Sequence, residues 1–124
     1  MKNFFRLMLL FSLFYFLSLG IAFASKSSAS LVVPESVPKG TEVTIKVNVT
    51  HTGNNMFHHT NWVYVTVNGK EIARWSFSAM NTPESENFTR EIKYTVNEPA
   101  QIEAEANCNI HGSAGISKAG ITVK

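Results

Sequence analysis

The chain has 124 residues, 44% of them hydrophobic, with 11 Lys and Arg against 9 Asp and Glu. That length suits one domain with a modest core, and the near balance of charge excludes the basic footprint of a nucleic-acid or anionic-membrane binder. A single cysteine excludes any disulfide within the chain.

The first element is a leader. Lys2 and Arg6 precede an apolar run from Leu7 to Leu19, Gly20 breaks the run, and Ala22-Phe23-Ala24 supplies a small-residue stop. This pattern predicts a secretory signal peptide over residues 1–24, cleaved after Ala24, although the run approaches the roughly 18 residues of a membrane span. With no twin arginine and no cysteine at the cleavage point, the expected route is general export to the periplasm or the exterior, with no membrane partner after cleavage. The remaining chain loses Lys2 and Arg6 and is close to neutral.

"SKSSAS", residues 25–30, reads as a flexible polar linker, and 31–124 as the folded domain. A short strand is expected at Leu31 to Val33. "TEVTIKVNVT" alternates Val43, Ile45, Val47 and Val49 with polar residues, the period of a half-buried strand. "NWVYVTV", Asn61 to Val67, meets Asn68-Gly69 before "KEIARWSFS", which predicts a tight hairpin. "TREIKYTV", "AQIEAEA" and "AGITVK" follow, making about seven strands and an all-β, antiparallel, immunoglobulin-like sandwich. No segment has a helical period. The intervening "HTGNNMFHHT" is a loop, and "NTPESENF", with Glu84 and Glu86, reads as a solvated acidic loop.

All four histidines, His51, His58, His59 and His111, fall in two loop regions, the second of which also holds Cys108. An unpaired thiol outside the cytoplasm is an oxidation liability unless it is buried or bound. A CxxH spacing lets one turn present a thiolate and an imidazole to one ion, and Gly112 permits the tight path. His51 and His58 bracket a loop of turn formers, Gly53, Asn54 and Asn55. Adjacent side chains of an extended chain point apart, so His58 and His59 are not both expected to reach the same ion. A thiolate excludes calcium and magnesium, and structural zinc usually recruits more sulfur. Redox-active iron or copper is the sharper expectation.

"HTGNNMFHHTNWVYVTVNGKEI" and "ANCNIHG" together resemble the iron-binding domain of the superoxide reductases, the desulfoferrodoxin and neelaredoxin family. There a histidine opens a short loop, a second closes it into an aromatic-rich strand, and a CNxHG motif lies near the C-terminus. His51, His58, Cys108 and His111 fall on those positions; the loop is one residue longer than usual, so His59 stays an alternative to His58. The resemblance implies a mononuclear iron centre of histidines and an axial cysteine, cycling between Fe2+ and Fe3+, and an open position for superoxide. Superoxide, or another small oxidant, is then reduced at the expense of an electron donor that the sequence does not name.

The chain departs from that pattern upstream. The family's EKHVP-type segment supplies a further histidine and a lysine, whereas no histidine precedes His51 here, and the rubredoxin-like cysteine module has no counterpart. "LVVPESVPKGTEV" retains a strand without the ligand, and Lys39 is the nearest replacement cation. Two other classes compete: a cupredoxin-like copper electron carrier, against which no methionine follows His111, and a non-catalytic metal-binding module.

Overall fold

The computed structural model describes residues 25–124, so the leader expected at 1–24 lies outside the described residues. Among the described residues there are eight strands: β1 (Ser28–Val32), β2 (Ser36–Val37), β3 (Thr41–Thr50), β4 (Thr60–Val67), β5 (Lys70–Ser76), β6 (Phe88–Val96), β7 (Ala100–Cys108) and β8 (Ser117–Val123). They form two sheets, in the orders β1-β3-β6 and β2-β8-β7-β4-β5. The eighth strand, beyond the seven expected, is the two-residue β2, which pairs in parallel with β8. A segment that short between two prolines has no period to read.

The alternation in "TEVTIKVNVT" does what its period requires. Val43, Ile45, Val47 and Val49 are buried, and the residues between them face out. Opposite them lie Val63, Val65 and Val67 of β4 and Ala100, Ile102, Ala104 and Ala106 of β7. Burying each valine contributes on the order of 1.5–3 kcal/mol, and the small alanines of β7 lie within the same core cluster. The Asn68-Gly69 turn joins β4 to β5 with φ of 50° and 83° at its two residues, the left-handed pair that a two-residue hairpin demands.

Residues 25–30 are not a loose linker. Ser28–Ser30 pair with Asn48–Thr50 as the first half of β1, and Ser25 and Ser27 are buried. Four serines, a lysine and a small alanine give no hydrophobic signal, but an antiparallel partner can satisfy their backbone regardless of side chain. Lys39 is also misplaced as a replacement cation. It precedes the ten-residue β3 whereas His51 follows it, and such a strand spans about 33 Å.

The period that builds the core also delivers the chemistry. Continuing the inward face of β3 beyond Val49 brings in His51, and continuing that of β7 beyond Ala106 brings in Cys108; both are buried. One sheet therefore contributes an imidazole and the other a thiol at the same end of the sandwich. A bulge between Thr60 and Trp62, opposite Asn107 and Cys108, adjusts the start of β4 beside them.

Candidate metal centre

Cys108 closes β7 and starts a tight turn. Its amide donates to Gly112 O at 2.9 Å, and the Gly112 amide returns a bond to Cys108 O at 3.0 Å. Gly112 has φ 84°, a conformation in which a side chain is strained. The turn sets the His111 amide 3.5 Å from Cys108 Sγ and His111 Nδ1 4.0 Å from the same sulfur. The spacing of CxxH thus places both donors on one side of one turn.

The second loop meets this turn. His58 Nε2 lies 3.2 Å from His111 Nδ1, and the ligand atoms of His51, His58 and Cys108 all lie within 4.8 Å of one another. The His58 ring stands edge-on to both His51 and His111, with centroids 4.8 Å and 5.0 Å away. Burial, and then the neighbouring His51 and His111 rings, hold the His58 pKa below its ordinary 6.5. A neutral imidazole is the form that can give a lone pair to an ion.

His59 goes elsewhere. Its ring is buried with Nδ1 2.9 Å from Asn55 O, inside its own loop. Of the two adjacent histidines, His58 lies in the cluster of donors, and His59 points into its own loop. His59→Ala is expected to leave metal stoichiometry unchanged while costing about 1–3 kcal/mol of stability through a lost buried bond and packing. Metal analysis beside a thermal melt checks both halves.

Two residues beyond the donors support the site. Asn109 fastens the two loops together: its Oδ1 accepts from the His59 amide at 3.0 Å and its Nδ2 donates to Phe57 O at 3.1 Å. Gly53 serves the centre twice. Its carbonyl accepts from His51 Nδ1 at 2.7 Å, and with φ 119° it lies so close under His58 that an added Cβ would stand 2.5 Å from that ring's Nδ1.

The loop between β5 and β6 is not merely solvated. Asn87 Oδ1 accepts from the His51 amide at 3.1 Å, and Glu86 Oε1 accepts from the Gly53 amide at 3.2 Å. Glu84 is held by both terminal nitrogens of Arg90, at 2.7 and 2.9 Å. That pairing, chiefly the Arg90 hydrogen bonds, lowers the Glu84 pKa from 4.5 to about 2. A carboxylate with a depressed folded-state pKa stabilises above its unfolded value and loses that contribution as pH falls toward the folded one. Glu84→Gln should therefore cost less than about 1 kcal/mol at neutral pH, because the pair is exposed. The gap between variant and parent in denaturant melts should close from pH 4.5 down to about 2. A cleft beside His51 is lined by Lys26, Thr50, Thr52, Glu86 and Asn87.

The donor set fits a transition metal. Ligands bound side by side at about 2.0–2.2 Å from one ion stand about 3 Å apart, and a thiolate sits slightly farther out. The 3.2 Å between His58 Nε2 and His111 Nδ1 and the 4.0 Å to Cys108 Sγ are of that order.

A family model described as Desulfoferrodoxin matches residues 22–114. In fold the chain is similar to a superoxide reductase (neelaredoxin) from Ignicoccus hospitalis, with a TM-score of 0.63 and 20% identity, covering 84% of this chain and 86% of that one. The corresponding protein from Archaeoglobus fulgidus in the reduced form gives a TM-score of 0.51 at 18% identity, over 76% of this chain and 89% of that one. A CARDB domain from Pyrococcus furiosus, in complex with di-metal ions, matches with a TM-score of 0.59 at 14% identity, over 82% of this chain and 97% of that one. At these identities the likeness establishes the sandwich fold. Among curated protein sequences none matches the chain.

Proposed function

The chain belongs to the desulfoferrodoxin family, and on that premise we propose that it is an exported, mononuclear iron protein that reduces superoxide by one electron. The observation that carries this reading is the meeting of His51, His58, Cys108 and His111 at one end of the sandwich. These four residues would hold the ion. Iron held there would supply the one electron that, with two protons, converts superoxide to hydrogen peroxide, and an external reductant would have to return that electron.

The chain's own residues do the rest. The Gly53 carbonyl orients His51 by its Nδ1, and the Asn87 side chain holds the His51 backbone. Burial and the neighbouring His51 and His111 rings lower the His58 pKa, which favours the neutral form able to bind. Cys108 is 1% exposed, so bulk oxidants meet the partly exposed His58 and His111 side before the sulfur. Sulfur protected in this way can act as an electron-rich ligand without climbing the oxidation ladder itself.

The comparisons lend no support to the copper alternative. Two measurements test the reading. The mature chain, reconstituted anaerobically, should bind one ferrous ion; binding of copper in preference, with an intense visible thiolate band, would favour the cupredoxin class. Rapid mixing with superoxide should then oxidise the ferrous form within the mixing experiment and release peroxide. A ferrous form that stays unchanged rejects the reductase assignment while leaving the metal centre standing. Export is tested separately by the mass of the secreted protein, which should begin at Ser25.

A further inference from the structure

The segment 25–27 is drawn against the centre by three anchors. The Ser27 amide donates to Gly112 O at 3.2 Å, its carbonyl accepts from the Ala114 amide at 2.8 Å, and its hydroxyl pairs with Thr60 Oγ1 at 2.7 Å. Ser27 is fully buried. These bonds tie the segment to the turn that carries Cys108 and His111, and to the start of β4. They leave the preceding residues directed at the histidines.

Ser25, itself buried, places its main-chain oxygen 2.7 Å from His51 Nε2. On its other side, His51 Nδ1 faces Gly53 O at 2.7 Å. A carbonyl only accepts, so both ring nitrogens of His51 face acceptors. A neutral imidazole has one N–H to give. If Nδ1 gives it to Gly53, Nε2 and the Ser25 oxygen are two lone-pair atoms in contact, an arrangement that needs a proton or a cation shared between them. Neighbouring ligands on one first-row ion stand about 3 Å apart, close to the spacing found here.

We propose that the main-chain carbonyl oxygen of Ser25 is a further donor to the metal centre, beside His51 and His58. This inference rests on the metal-centre reading above and adds to it a ligand that no side-chain motif could announce. It gives the segment before β1 a role: the chain has no histidine upstream of His51, and a backbone oxygen from that upstream segment fills part of the coordination sphere instead. Because the donor is main chain, the identity of the side chain at position 25 is immaterial to it, whereas the anchoring of Ser27 is not.

The test uses metal-free chains with defined N-termini and two probe ions. Titrated with Co2+, whose visible band intensity reports coordination number, chain 25–124 and its Ser25→Ala variant should behave alike. Chain 27–124, which keeps every strand, should bind at least about tenfold more weakly, with a more intense band from a lower coordination number. Chain 23–124 should match 25–124; weakening there would overturn the carbonyl in favour of a freed amino group. Equal affinity and spectra for 25–124 and 27–124 would overturn the Ser25 donor alone, and absence of Co2+ binding by 25–124 would overturn the centre itself. A second readout survives any folding failure of the shortened chain. Serine labelled with 13C at the carbonyl and lysine labelled with 15N mark only Ser25-Lys26 and Ser117-Lys118. Zn2+ should shift the first carbonyl and leave the second in place, and a Ser25 signal unmoved at full Zn2+ loading would refute the proposal.

Discussion

Cys108→Ser is expected to abolish stable iron binding while leaving the sandwich folded. The residue sits where the two requirements separate cleanly. Its backbone is the last pair of β7 with Thr60 and closes the turn through Gly112, and neither bond depends on the side chain. Its side chain continues the inward row of Ala104 and Ala106 and ends among the imidazoles. A serine oxygen is smaller than sulfur and stays protonated, so it neither reaches nor charges the ion as a thiolate does. Loss of groups that merely orient a ligand typically costs 10–100-fold in affinity, and loss of this ligand should exceed about 100-fold. Anaerobic ferrous titration followed by metal analysis gives the affinity, and far-ultraviolet circular dichroism checks the strands. An equal iron yield from the variant would remove Cys108 from the centre.

The second large effect is expected at a residue with no side chain. Gly53→Ala adds one methyl group to a loop, yet two constraints oppose it. The backbone has φ 119°, where a side chain is strained, and the new Cβ would stand 2.5 Å from His58 Nδ1 and 2.9 Å from Cε1. Either the ring swings out of the cluster or the loop relaxes and carries the Gly53 carbonyl away from His51. The strain costs on the order of 1–3 kcal/mol. Displacement of one imidazole should weaken ferrous binding about 10–100-fold. Gly69→Ala supplies the control, because Gly69 also has a positive φ of 83° but nothing stands within 4 Å of its added Cβ. It should lose stability and keep its metal. Equal metal loss in both variants would show that backbone strain, and not contact with His58, governs the effect.

The contrast between what could and could not be read from the sequence follows from the range of each interaction. β3 was legible because Val43 to Thr50 alternate without exception, and the β4–β5 hairpin because Asn68-Gly69 declares its own geometry. His58 and His111 were legible as candidates because histidines confined to loops have few other reasons to gather. Gly53 was visible only as a turn former; its service to His58 depends on a ring five residues on folding back over it. Glu86 and Asn87 read as solvated because their partners, Gly53 and His51, lie 33 and 36 residues away and share no local pattern with them. Ser25 and Ser27 were assigned to a linker for the same reason. Their interactions are with Gly112, Thr60 and His51, and polar backbone contacts of that range leave no periodicity.

The donors come from opposite sheets and from parts of the chain far apart, His58 and His111 being separated by 53 residues. No early fragment of the chain can therefore present the ion with more than the His51–His58 loop or a lone CxxH turn. Pairings of such separation are the slow part of building a sandwich, since their loop-closure entropy must be met before they form. The order of events is consequently set by topology: the strands assemble first, and metal enters a finished end of the molecule. Refolding followed in the presence and absence of ferrous ion should share one rate, with the ion slowing only the return to the unfolded chain.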